Sequence, residues 1–188
     1  MFNIILACDS NYGIGYKNNL PWNFKSDLSY FKTITTGCDP FNKSIVIMGR
    51  NTYESLPNNK LKDRINICVS STLKTDNVLV VKSFQDALNL AYKKIGKHSE
   101  NIWIIGGETL YKEAVRHRDL NKIYYTFIEG EFECDTHFNF TNYWSLDELN
   151  INKISSVIKE DIDTKTNDSK ILFFNTIKPS SFGENNYL

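Results

Sequence analysis

The chain has 188 residues, 41% of them hydrophobic and 23% charged, with 22 Lys and Arg against 22 Asp and Glu. That is the length and composition of one globular domain with a substantial core. The balanced charge leaves no electrostatic footprint for nucleic acid or an anionic membrane. Cys8, Cys38, Cys68 and Cys134 form no C-x-x-C pair and no His–Cys spacing for zinc, so no metal is expected and reduced thiols in a cytoplasmic protein are. Cys8 and Cys68 lie in apolar runs, where a thiol packs as a small hydrophobe.

In chain order, Phe2–Cys8 reads as a buried strand, too short and too poor in flanking base for a signal peptide or membrane span. Pro21 stops any earlier helix, and Asn23 is suited to cap one that starts at Phe24. There Phe24, Leu28, Phe31 and Ile34 share a face at helical spacing, Asp27 falls within it, and Lys25, Ser29 and Lys32 lie opposite. Thr36–Ser44 is expected to be a surface loop. Strands are predicted at Ser44–Met48, Arg64–Ser70, Val78–Val81, Ile102–Ile105 and Lys122–Ile128, their continuous apolar character marking cover on both faces. Ser83 caps the clearest helix, to Ile95, with Phe84, Ala87, Leu88 and Ala91 on its inner face. Two last runs, Lys153–Ile158 and Lys170–Thr176, follow with no helix between them, so the sheet of this α/β domain ends antiparallel. The domain is expected to span residues 1–177, and polar Lys178–Leu188 to be a tail or linker.

Two readings of Asp27 are open. A first-turn acid that complements the helix dipole is the commoner role. A carboxylate facing a cavity is the alternative, and since burying an ion is costly such a group usually has a task. Two strand-to-helix junctions carry glycine, Met48-Gly49-Arg50-Asn51-Thr52 and Ile105-Gly106-Gly107-Glu108-Thr109. Neither matches the Rossmann or P-loop fingerprint. Together, each with a hydroxyl or an arginine, they suit a long phosphate-bearing ligand that spans both helix starts.

In order, Ile5-Leu6-Ala7, Gly13-Ile14-Gly15, Leu20-Pro21-Trp22, Asp27-Leu28-x-x-Phe31-Lys32, Met48-Gly49-Arg50-x-Thr52, Ser55-Leu56-Pro57, Leu61-x-x-Arg64, Val69-Ser70-Ser71, Ile105-Gly106-Gly107, Tyr111, Thr126 and Asp135-Thr136-His137-Phe138 resemble the dihydrofolate reductase family, from residue 1 to about Asn175. The resemblance implies an eight-stranded, mixed, mostly parallel sheet flanked by helices. It also implies hydride transfer from NADPH to pterin C6 of dihydrofolate with protonation at N5, and antifolates as further ligands. It turns the choice on Asp27 toward the cavity. There the two carboxylate oxygens accept from the pterin 2-amino group and adjacent ring nitrogen.

By the same resemblance the catalytic set is Asp27, Trp22 (through water), Leu20, Tyr111 and Thr126. The substrate contacts are Ile5, Ala7, Leu28, Phe31, Lys32, Ser55, Leu56, Leu61, Ile105 and Arg64, the last gripping the glutamate α-carboxylate. The cofactor contacts are Ala7, Ile14, Gly15, Asn18, Gly49, Arg50, Asn51, Thr52, Ser70, Ser71, Thr72, Lys82, Ile105, Gly106, Gly107, Glu108, Thr109, Leu110 and Tyr111. The family joins the two glycines by a cis peptide. Asn51 and Ser71 stand where many members are basic, which leaves Arg50 as the main charge for the 2′-phosphate. Leu20 replaces a lid methionine, and Glu108 a small residue. His137 is expected to be structural, and Trp103 and Trp144 packing residues. Riboflavin-pathway reductases share fold and cofactor but lack the Pro-Trp and helix-borne Asp; a non-catalytic paralogue that binds folate or nucleotide is the alternative of another class. The terminal Glu184–Leu188 resembles the entrance to a fused thymidylate synthase domain.

Overall fold

In the computed structural model, which describes residues 1–37, 43–97, 99–143 and 157–177, the amino-terminal apolar run is strand β1, Phe2–Cys8, inside the sheet. The chain continues through β2 (Gly13–Gly15), α1 (Lys25–Thr36), β3 (Ile45–Gly49), α2 (Arg50–Ser55), β4 (Ile65–Val69), β5 (Leu79–Val81), α3 (Phe84–Ile95), β6 (Ile102–Ile104) and α4 (Glu108–Ala114). It closes with β7 (Leu120–Ile128), β8 (Thr136–His137), β9 (Val157–Ile162) and β10 (Ser169–Ile177). Eight strands form one sheet in the order β5-β4-β3-β6-β1-β7-β10-β9, and β2 pairs with β8 apart from it. Every pairing from β5 to β7 is parallel, and β10 is antiparallel to both β7 and β9. The mixed, mostly parallel α/β sheet expected from the sequence is present. Cys38, Trp144, Lys153–Ser156 and the tail Lys178–Leu188, with its expected synthase entrance, lie outside the described residues.

Side chains alternate across the pleat, so the apolar runs supply two cores at once. Phe2, Ile4, Leu6 and Cys8 pack with Ile45, Ile47, Ile67 and the inner faces of α3 and α4. Ile5, Val46, Met48, Cys68, Trp103 and Ile105 face the other way, toward Tyr30, Phe31 and Ile34 of α1. Helix α3 forms as its sequence dictates: Ser83 Oγ accepts from Asp86 N at 3.1 Å, and Phe84, Ala87, Leu88 and Ala91 are buried.

Several element ends differ from the expected ranges, and two of them have a clear cause. Asn23 does not cap α1; the N-cap is Phe24, which makes no side-chain bond. Asn23 is spent on the β9–β10 turn, its N donating to Asp163 Oδ1 at 3.1 Å and its Nδ2 to Thr164 Oγ1 at 2.7 Å. Strand β9 runs to Ile162 rather than stopping at Ile158. It is an edge strand, and its Lys159-Glu160-Asp161 run carries the pairing with β10 while presenting polar groups to solvent, which hides it from a search for apolar runs.

The link from β1 to the cleft loop hangs on Asp9, which is 1% exposed. Its Oδ1 accepts from Asn11 N (2.9 Å) and Gly13 N (2.7 Å), and its Oδ2 from Phe132 N (2.9 Å). Gly13 leaves no room for a side chain, since a Cβ there would lie 2.5 Å from Cys134 Sγ. Asp9→Ala orphans these donors and is expected to cost about 2–4 kcal/mol of stability in urea unfolding. A loss below about 0.5 kcal/mol, the scale of an ordinary surface change, would contradict that role.

Candidate active site

A cleft of about 930 Å³ opens at the carboxyl ends of β1, β3 and β6, where open α/β sheets place their ligands. Its floor is Ile5, Leu6, Ala7 and Ile105. One end is walled by α1 (Asp27, Leu28, Phe31 and Lys32) with Ser55, Leu56, Leu61 and Arg64 opposite; Gly49–Thr52 and Gly106–Leu110 form the other. Ile14, Gly15, Asn18 and Leu20 close over it, and Trp22, Tyr111 and Thr126 complete the lining. The loop is pinned from outside: Lys17 N donates to Asp135 Oδ2 at 2.8 Å, and Asp135 N to Gly15 O at 3.0 Å.

Asp27 is 6% exposed and bonds to Thr126, on β7, across the sheet from its own helix. The helix-start reading therefore gives way: the carboxylate faces inward. Burial lifts its pKa from 3.8 to about 6, and the Thr126 bond limits the rise. The groups around it are neutral. Burial raises the Tyr111 phenol, whose hydroxyl donates to Ile5 O at 2.9 Å, and pushes the Cys8 thiol up to about 12. Trp22 is buried beside them with an indole N–H that has no partner among the described residues. Such a buried donor is free for a water or a ligand group.

Leu28, at the mouth, is 45% exposed and Leu20 40%, so apolar surface faces the cleft from both sides. Lys32 is exposed, as its place on the helix opposite Asp27 predicts, and its long stem carries it to the cleft rim. Arg64 is 8% exposed and held in place, Nη1 donating to Thr35 Oγ1 at 2.7 Å and Nε to Lys62 O at 3.0 Å, with Phe31 under its guanidinium at 5.9 Å. Among the described residues it joins no ion pair, so its charge is available to an anion.

The other half of the cleft is built on backbone. The Gly106–Gly107 peptide is cis, and Gly49 N donates to Gly106 O at 2.7 Å, which joins the two glycine junctions. Gly106 has φ +109°, and a Cβ on it would meet the Tyr111 ring at 3.1 Å; only glycine suits both demands. Arg50 is braced by Glu54 (Nε to Oε1, 2.6 Å) and by Thr72 (Nη1 to Oγ1, 3.0 Å).

Four expected cofactor residues, Ser70, Ser71, Thr72 and Lys82, lie outside the lining of the cleft. Ser70 Oγ accepts from the backbone of Thr72 and Leu73, Ser71 and Lys82 are exposed, and Thr72 reaches the site only through Arg50. Conversely Asn19, Asn23, Tyr30, Pro57, Val69, Glu113, Thr136 and Lys165 line it without having been expected. Lys165, on the β9–β10 turn, donates its Nζ to Leu20 O. No local pattern announces a contact between residues 145 apart.

The buried Asp27 fixes a sign for stability against pH. Its native pKa lies above the unfolded value, so between pH 4 and 6 the native state holds the extra proton and stability falls as pH rises. Asp27→Asn removes the cost of the buried charge. In urea unfolding the variant should be more stable than the parent at pH 8, by at most about 3 kcal/mol, with the gain fading near pH 4. A variant less stable at pH 8 than at pH 4, relative to the parent, would refute an ionised Asp27 out of water.

With this geometry in place, comparison with known proteins is specific. A model of the dihydrofolate reductase family matches residues 1–170. The chain is 41% identical over 155 residues to the dihydrofolate reductase of Schistosoma mansoni, covering 79% of this chain and 83% of that protein. It is 39% identical over 144 residues to the Drosophila melanogaster dihydrofolate reductase, covering 73% and 78%. Against the bifunctional dihydrofolate reductase-thymidylate synthase of Paramecium tetraurelia it is 36% identical over 150 residues, 79% of this chain and 30% of that protein. The matched span holds the sheet from β1 to β7, the cleft and its buried carboxylate, and the chain belongs to the dihydrofolate reductase family.

Proposed function

We propose that this chain reduces 7,8-dihydrofolate to tetrahydrofolate with NADPH as hydride donor, in the reducing cytoplasm. The observation that carries this is Asp27, a buried carboxylate between apolar walls, opposite a glycine-lined half of the same cleft. A pterin presents two adjacent donors, and a carboxylate offers two acceptor oxygens to meet them. Leu28, Phe31, Leu56 and Leu61 would cover the flat rings, and Arg64, already oriented by Thr35 and Lys62, would receive the glutamate carboxylate. Antifolates with the same donor pair would use the same carboxylate.

The residues at the far end fit a dinucleotide. The Cβ positions of Gly49, Gly106 and Gly107 point at Gly107 N, the Tyr111 ring and Thr52 Oγ1, so the missing side chains let the two junctions pack into a wall of backbone, and Arg50 supplies the positive charge there. Gly49–Thr52 and Gly106–Leu110 would hold the phosphates, and Ala7, Ile14 and Tyr111 would bound the nicotinamide. When bound, that group supplies the hydride for pterin C6. The chain's own work is alignment, exclusion of water and charge. Asp27 anchors the ring and favours its protonated form, and the loop to Leu20 admits the water that brings the N5 proton. Continuation beyond Leu188 into a thymidylate synthase segment, as in the Paramecium relative, belongs to the same reading.

Loss of NADPH absorbance on addition of dihydrofolate tests the activity itself. Asp27→Asn should slow turnover at pH 7 by at least ~100-fold, the scale of proton-transfer groups, and recover in part at acid pH where solvent protonates the substrate. A parental rate at pH 7, or no acid recovery, would sink the role of Asp27. Arg64→Leu should cost roughly 2–5 kcal/mol in substrate binding, seen as a raised KM for dihydrofolate but not for a pterin without glutamate. Equal losses for both substrates would place the tail elsewhere.

A further inference from the structure

Helix α1 begins without a cap of its own, because Phe24 offers no side-chain acceptor. The N–H of Ser26, an orphan of the first turn, is met instead from another part of the chain. Asp161 Oδ2, on edge strand β9, accepts from Ser26 N at 2.7 Å and from Ser26 Oγ at 2.5 Å. The two residues are 135 apart in sequence, and Ser26 is 8% exposed. A carboxylate at this place satisfies the free donor and also faces the positive end of the helix. The same hairpin holds the approach to the helix, with Phe24 bridged to Asp163. The residue after Ser26 is Asp27.

We infer that Asp161 is a positioning residue: by gripping Ser26 it sets the first turn of α1, so that the Asp27 carboxylate is directed inward onto Thr126. The carboxylate is thereby located from two strands, β7 through Thr126 and β9 through Asp161. With Asp161 removed, the first turn loses its only side-chain cap among the described residues and frays, as uncapped helix ends do. Water then reaches Asp27, and the ring it anchors shifts against the hydride path. The inference rests on the reading of Asp27 as the group that anchors the substrate.

The test is the pH dependence of turnover in Asp161→Ala and Asp161→Asn, with KM for dihydrofolate and Kd for NADPH measured alongside. The titratable or polar groups facing Asp27 are Cys8 on β1, Tyr30 on α1, Tyr111 on α4 and Thr126 on β7, and neither variant alters them. In Asp161→Ala we expect kcat at pH 7 to fall about tenfold or more, as misplacement near reacting groups does. The midpoint of the pH profile should move about one unit toward acid as Asp27 is hydrated. Kd for NADPH should stay unchanged. Asp161→Asn keeps one acceptor oxygen for Ser26 and loses the charge and the Oδ1 bond from Ile162 N (2.9 Å), so it should retain most of the rate and a midpoint close to the parental one. Equal midpoint shifts in both variants would mean that the charge of Asp161 acts at a distance, and would overturn positioning. So would a lower melting temperature in Asp161→Ala with parental kcat and midpoint. If Asp161→Ala does not fold, Ser26→Ala, which loses the Oγ bond but keeps the backbone one, should show the same acid shift on a smaller scale; an unmoved midpoint there would count against the inference. Asp27→Asn separates the levels: if it remains active the reading of Asp27 itself fails, and if it is inactive while Asp161→Ala is parental, only the role of Asp161 fails.

Discussion

A carboxylate taken out of water must be neutralised, paired or held by neighbours, and Asp27 has no cation partner among the described residues. Its proton affinity therefore rises to a pKa of about 6, and the fold carries the cost of an ionised group above that pH. Much of the surrounding structure serves to keep it there. Thr126 on β7 gives it one bond, Ile5 and Ile105 form the floor beneath, and Asp161 on β9 grips the residue before it. A destabilised group kept by three separate strands is the signature of a site, since stability alone would replace it with an apolar side chain.

The sheet order explains why the two ends of the cleft differ. With β6 between β1 and β3, the glycine junctions after β3 and β6 become neighbours and bond to each other, which gives one end a wall made of backbone. The other end is covered by α1, whose side chains supply apolar rings, one buried acid and a rim lysine. A flat heterocycle with adjacent donors suits the second wall, and an extended phosphate-bearing ligand suits the first. Hydride transfer needs both in one cavity with water kept out, and the loop over the cleft, tied down by Asp135, Asp163 and Lys165, spans the two.

What could be read from the sequence was what local rules govern. Strands buried on both faces stand out as apolar runs, and α3 carries its cap and its periodicity within thirteen residues, Ser83 to Ile95. Asp27 was visible because an acid at an apolar position of a helical wheel breaks the pattern. The start of α1 escapes local rules because Asn23 has the chemistry of a cap but is drawn off by Asp163 and Thr164, while the acceptor that does serve comes from β9. The edge strand β9 was cut short because its outer residues are charged. Asp9 and Lys165 act on partners set by folding, so no spacing revealed them. Of the residues expected from the family motifs, Ser70, Ser71, Thr72 and Lys82 lie beyond the lining of the cleft.

The site is built around an ionisable group whose proton affinity the fold has raised. Carbon-13 NMR of the Asp27 carboxyl, assigned by its loss in Asp27→Asn and followed from pH 3 to 9 without ligands, measures this directly. The burial of Asp27 predicts a midpoint near pH 6. A midpoint near the ordinary 3.8 would mean that the carboxylate is solvated and that the cleft does not hold it out of water.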